Sequence, residues 1–282
     1  MAMLELISEH ACFGGVQRYY RHQSTVIGLP MRFGVFVPEQ ASSAKVPVLF
    51  CLAGLTCNEE TFATKAGAQR KAAELGLMLI TPDTSPRDAA VLGESDSWDL
   101  GIGAGFYVDA TEAPWRMHYR MYSYLLELRT LIVAELPAAG ERVGIIGHSM
   151  GGHGALVLAL RNPDLFKSVS ALAPISAPTR CPWGEKAFSA YLGPRTGAWE
   201  NYDASALMSA SNRPFPRGIL IDQGLSDKFL ADQLFPEAFE AACVAANQPL
   251  TLRRHEDYDH GYYFIATVID DHLKFHHEAL IS

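Results

Sequence analysis

The sequence predicts an α/β protein folded as one domain over residues 1–282, with a mostly parallel central sheet, helices on both faces and an antiparallel N-terminal portion. Three observations predict it. Strand-like and helix-like segments alternate regularly from residue 46 to the C-terminus, which implies right-handed crossovers between parallel strands. The strand-like segments include continuous apolar runs such as "VPVLFCLAGL" (46–55), the pattern of a strand buried on both faces. A chain of 282 residues that is 49% hydrophobic also carries enough apolar side chain for one sizeable core, and α/β folds of this length commonly stay single.

The opening third reads as strands. "LELISEHACFGGVQRYYRHQS" and "MRFGVFVPE" are rich in β-branched and aromatic residues broken by Gly and Pro. After the run at 46–55, "TKAGAQRKAAELG" (64–76) has helical spacing and a glycine stop, and "LMLITPD" (77–83) is the next strand. From Thr84 to Pro114 the chain is rich in Asp, Gly and Pro, and a loop that long in a compact domain is usually functional. "RMHYRMYSYLLELRTLIVAEL" (116–136) has the spacing of an amphipathic helix. Strand "RVGIIGH", helix "GGHGALVLALRN" and strand "KSVSALAPI" follow, then a second irregular insertion at about 176–216, the first spanning about 84–115. Strand "GILIDQG", helix "DQLFPEAFEAACVAAN", strand "LTLRRHE" and helix "YYFIATVIDDHLKFHHEAL" complete the chain.

Composition excludes several roles. The formal net charge of −8 repels phosphate backbones, so nucleic acid is not an expected partner. No apolar run reaches the roughly 18 residues of a membrane span, and "MAMLELISEHACFGG" lacks the basic region of a signal peptide. Five cysteines, an odd number without CxxC spacing, indicate neither a disulfide framework nor a zinc site. Free thiols in a cytoplasmic enzyme are expected.

"IIGHSMGGHGAL" (145–156) carries the chemistry. Gly147-His148-Ser149-Met150-Gly151 fits G-x-S-x-G, and its context adds weight, an apolar strand before it and a helix after. The strand-to-helix turn is so sharp that the serine takes strained backbone angles, while the flanking glycines let neighbouring backbones pass. Its hydroxyl then stands at the carboxyl edge of the sheet, where clefts form in open α/β folds. Ser149 is the expected nucleophile.

In α/β-hydrolases the chain order is Ser, then Asp or Glu, then His. "GILIDQGLSDKFL" offers Asp222, within the strand end, and Asp227, in the turn beyond it; Asp227 is the expected acid. "LTLRRHEDYDHGYYF" offers His255, at the strand end, and His260, in the loop before Gly261; His260 is the expected base. His148 and His153 lie nearest Ser149 in sequence, yet His148 should point away across the pleat, and both are expected to be packed, hydrogen-bonded structural residues. His272 and His276 have i, i+4 metal-ligand spacing but no third ligand, and a solvated amphipathic helix explains them better. For the oxyanion, Met150 N–H is one expected donor. Leu55 N–H, in the "LAGLTCNEETF" loop (52–62), is the second.

"LAGLTCNEETF", "SDSWDLGIGAGFYVDAT", "GHSMGGHGAL", "DQGLSDKFL" and "YDHGYYFI" together resemble the S-formylglutathione hydrolases of the esterase D family, which have the α/β-hydrolase fold. The resemblance runs in order over nearly the whole chain. It implies hydrolysis of S-formylglutathione to formate and glutathione in formaldehyde detoxification, with small carboxylic esters as side substrates. It implies no cofactor and no metal, a cytoplasmic location and a homodimer. The triad carries over as Ser149, Asp227 and His260, and the oxyanion donors as Leu55 and Met150. The family's cysteine near the site matches Cys57, which would explain sensitivity to thiol reagents without a catalytic thiol. Trp98 and Trp183, on the long loops, are either walls for the glutathione tail or residues packed for stability. The alternative function is a carboxylesterase or acyltransferase of the same fold with another acyl substrate.

Overall fold

The computed structural model describes residues 4–211 and 213–281. Its strands form one nine-stranded sheet, ordered β1-β2-β3-β5-β4-β6-β7-β8-β9. β1 (Glu5–Cys12), β2 (Gly15–Gln23) and β3 (Pro30–Val37) are the antiparallel portion, and β3 joins β5 (Met78–Pro82) antiparallel as well. β5, β4 (Val46–Leu52), β6 (Ala138–His148), β7 (Ser168–Leu172), β8 (Ile219–Gly224) and β9 (Leu250–His255) run parallel.

β4 shows why the apolar runs mean a parallel sheet covered on both sides. All seven of its residues are buried. Val48, Phe50 and Leu52 enter one core, while Leu49 and Cys51 enter the other, the period of two that a strand imposes. Pro47 cannot donate to a ladder, and the β4–β6 register shifts there, between Val46 and Val48. On one face lie α1 (Glu59–Lys65), α2 (Gln69–Leu75) and α8 (Tyr262–Ile281). On the other lie α3 (Met121–Glu135), α4 (Met150–Arg161), α5 (Pro182–Leu192), α6 (Ala204–Ser209) and α7 (Pro236–Ala245).

Several expectations change. The single helix expected at 64–76 is two: α1 starts earlier, at an Asn58–Thr61 capping box, and Gly67 (φ +71°) turns the chain before α2. The stretch at 176–216 is not simply irregular. It contains α5, which starts with Pro182 at its first position, and α6, whose cap is the Asp203 carboxylate on Ala206 N–H. The helix expected from residue 116 begins at Met121, after a 3-10 turn at Trp115–Met117. β6 starts before the expected Arg142.

The largest correction concerns α8. His272 and His276 are not on a solvated face; both are fully buried against the sheet. All four ring nitrogens are engaged. His272 bonds Asp222 (3.0 Å) and Ser170 Oγ (2.8 Å), and His276 bonds Ser170 Oγ (2.8 Å) and Ser168 Oγ (2.7 Å). Asp222 completes the network with Arg253 and His255. Burial opposes its ionisation, but Arg253, His272 and His255 hold its carboxyl well below the usual carboxylate range.

Candidate active site

The strand-to-helix turn after β6 places Ser149 at the carboxyl edge of the sheet. Its backbone is at φ 58°, ψ −120°, a region L-residues rarely occupy, at a cost of about 1–3 kcal/mol. The neighbouring structure imposes it. Ser149 N–H donates to Leu172 O (2.9 Å), and Ser149 O accepts from His153 N–H (3.0 Å) and Ile175 N–H (3.3 Å). The two glycines of the motif are required by close approach. A Cβ on Gly147 would lie 2.0 Å from Gly151 O, and one on Gly151 would lie 2.2 Å from Leu52 O. Met150 opens α4, where main-chain N–H groups lack intrahelical acceptors.

Asp227 and His260 come from the turns after β8 and β9, which are paired neighbours. His260 Nδ1 lies 2.5 Å from Asp227 Oδ2. The carboxylate is itself held: Phe229 N–H donates to Oδ1 (2.8 Å) and Gln223 Nε2 to Oδ2 (3.2 Å). The Asp227 side chain is fully enclosed, so this pair is little screened by solvent. Leu225 N–H to His255 O (2.9 Å) and Ser226 N–H to Tyr258 O (2.9 Å) tie the two turns together.

One cavity of about 240 Å³ gathers the site. Ser149, His260, Leu55, Cys57, Trp98 and Trp183 all line it; Asp227 and Met150 do not, Asp227 reaching the site through His260. Trp98 and Trp183 meet edge to face, with centroids 5.7 Å apart. Trp183 is buried while Trp98 is 57% exposed, which makes Trp98 the rim. The Leu55 turn is fixed from several sides. Thr56, itself at φ +67°, donates its N–H to Gly103 O (2.9 Å), and Tyr107 OH donates to Ala53 O (2.9 Å). Cys57 O accepts from Thr84 Oγ1 (2.5 Å) and Arg87 Nη2 (2.7 Å). Cys57 is half-buried, and burial pushes its thiol pKa up against smaller opposing effects of Thr61 and Tyr262.

His148 departs from expectation. It does not sit apart from the site: it lines the same cavity, and its ring centroid is 4.6 Å from that of His260. It is packed but not hydrogen-bonded, because neither ring nitrogen has a partner in hydrogen-bond geometry among the described residues. Burial, then the neighbouring His260, lower its pKa well below the usual value, so the ring stays neutral. His153 is structural as expected, with Nε2 on Phe106 O (2.9 Å) and its pKa lowered by burial to about 4.

Sequence reasoning missed two residues. Phe229 lines the cavity and packs edge-on to His260 (5.0 Å) and against Trp183 (4.7 Å). Together with His148 it encloses the imidazole. Gln223, on β8, donates to Asp227 from inside a strand that reads as plain core. The only available signal for Phe229 was its place two residues after Asp227.

The sheet, the elbow at Ser149 and the Asp227–His260 pair define the class, an α/β-hydrolase. Comparison with known proteins narrows it. A family model described as a putative esterase matches residues 24–275. The S-formylglutathione hydrolase of Rattus norvegicus is 52% identical over 279 residues, 98% of this chain and 99% of that protein. The solved structure of an S-formylglutathione hydrolase from Agrobacterium tumefaciens superposes with a TM-score of 0.95 at 49% identity, over 98% of this chain and 99% of that one. A fluorophosphonate-binding serine hydrolase of Staphylococcus aureus shares the fold at 22% identity (TM-score 0.75; 93% of this chain, 98% of that one). The chain belongs to this esterase family, and within it to the S-formylglutathione hydrolases.

Proposed function

We propose that the protein is a serine thioesterase that hydrolyses S-formylglutathione to formate and glutathione, the reaction named for the rat and Agrobacterium relatives. One observation carries the reading furthest: Ser149 shares one narrow cavity with His260, and His260 is held by Asp227. His260 takes the Ser149 proton as Oγ attacks the formyl carbon. Leu55 and Met150 N–H groups hold the oxyanion, and Asp227 fixes the imidazole tautomer and stabilises imidazolium. Collapse expels the glutathione thiolate. A thiol pKa of ~8.5 makes it a good leaving group with little acid help. The more demanding task for His260 is the second half, activating water against the formyl-serine, which releases formate and restores Ser149.

A formyl group is the smallest acyl group and fills only a small part of the cavity of about 240 Å³. Ground-state binding then falls to the thiol portion, with Trp98 and Trp183 as walls. Nucleophile, base and oxyanion donors are all protein groups, so the cycle closes without a cofactor. No helix among the described residues is long and apolar enough to cross a membrane. A cytoplasmic homodimer completes the proposal.

Ser149→Ala tests the assignment. Turnover should fall by at least about 10⁴-fold with the melting transition retained. Substantial residual hydrolysis would mean that another group is the nucleophile. Product analysis with an added alcohol separates hydrolysis, which yields formate, from acyl transfer, which yields a formate ester.

A further inference from the structure

Pockets for drug-sized ligands usually measure roughly 300–1,000 Å³, and the cavity at Ser149, at about 240 Å³, is below that range for a whole tripeptide thioester. A second cavity of about 380 Å³ lies directly beside it. The two share Phe229 and His260 as walls, which brings the second space next to a ligand whose sulfur is at Ser149. Ser226, Lys228, Asp259 and Gly261 form the rest of its lining.

The charges of this second cavity are one cation and one anion. Lys228 is exposed and has no carboxylate partner among the described residues; its Nζ rests over the Phe229 ring, 4.9 Å from the centroid. That contact is weak and leaves the ammonium's donors to a ligand. Asp259 is exposed and uses one oxygen, Oδ1, for Gly261 N–H (2.8 Å), leaving Oδ2 for a second donor. Lys186, by contrast, is paired with Asp99 and donates to Ser97 Oγ (2.7 Å).

Of the two ends of glutathione, the γ-glutamyl end presents an α-carboxylate beside an α-ammonium, both charged at neutral pH. The glycyl end presents a carboxylate alone. The geometry points to the cavity of Ser226, Lys228, Phe229, Asp259 and Gly261 as the subsite for the γ-glutamyl end, with Lys228 taking the α-carboxylate and Asp259 the α-ammonium. This inference rests on the S-formylglutathione reading above. It adds a zwitterion-recognising subsite outside the catalytic residues, and it makes the amino-acid end of the thiol a determinant of specificity.

The test compares two thioesters, S-formylglutathione and the formyl thioester of N-acetylcysteinylglycine, in which an acetyl group replaces the γ-glutamyl residue. Wild type should prefer the first by about tenfold or more in kcat/KM, the scale of one charge-assisted interaction. Lys228→Met and Asp259→Asn should each shrink that ratio severalfold, mainly through KM, and Lys228→Arg should keep it. Equal turnover of the two thioesters by wild type would overturn the subsite, as would variants that lose activity on both substrates in the same proportion. Failure of the parent reading looks different: there S-formylglutathione is turned over no better than a small aryl ester, whatever stands at position 228.

Discussion

Single residues show where sequence and structure part. Ser149, Asp227 and His260 could be singled out because each follows a strand, in the chain order Ser, Asp, His; Ser149 and His260 line one cavity, and Asp227 is bonded to His260. Phe229 and His148 could not be, because which ring faces an imidazole depends on tertiary packing, which no local pattern records. Cys57 carries a prediction at this scale. It is half-buried in the turn just after Leu55, and its raised pKa leaves little thiolate at neutral pH. Alkylation of the wild type should therefore be slow, accelerate as pH rises, and abolish turnover by filling the cavity. Cys57→Ala should keep most of its activity and resist the reagent; a dead Cys57→Ala would mean that the thiol itself takes part.

At the scale of elements, the turn after β4 carries the inferred second oxyanion donor, and its rigidity comes from outside itself. Thr84 and Arg87 both donate to Cys57 O, and Arg87 also grips the buried Asp83 carboxylate through Nε and Nη2. An oxyanion donor stabilises the transition state more than the ground state. Arg87→Gln should then lower kcat about tenfold while KM changes little, because the loosened turn misplaces Leu55 N–H. A change confined to KM would show that the turn does not depend on Arg87. None of this was readable in residues 84–114, where Asp, Gly and Pro signal a loop but not its contacts. In the second insertion α6 is only six residues long and packs on α4, and the start signals of both helices, Pro182 and Asp203, sit in a stretch whose Pro and Trp content reads as irregular.

For the molecule as a whole, the class of fold was legible from alternation and from doubly buried strands, while its polar interior was not. His22, His148, His153, His272 and His276 are all buried, and burial lowers the pKa of each. Below about pH 6.5 the unfolded chain binds more protons on these residues than the folded chain does, so stability falls as pH drops through that value. His153 alone, lowered to about 4, accounts for on the order of 3 kcal/mol by pH 4. Asp222 acts at a different pH: its depressed pKa stabilises the fold above about pH 4 and loses that effect only under more acidic conditions. The urea midpoint should therefore fall clearly between pH 7.5 and pH 5.5, and a flat profile across that interval would contradict neutral buried imidazoles.

The proposed function makes a formyl thioester of glutathione, and not a simple ester, the substrate at Ser149. The most direct measurement is kcat/KM of the purified protein for S-formylglutathione against that for small aryl esters under one set of conditions. The thioester should be preferred by about 100-fold or more, with glutathione and formate released in equal amounts. Comparable or faster turnover of the aryl esters would contradict it and leave a general carboxylesterase.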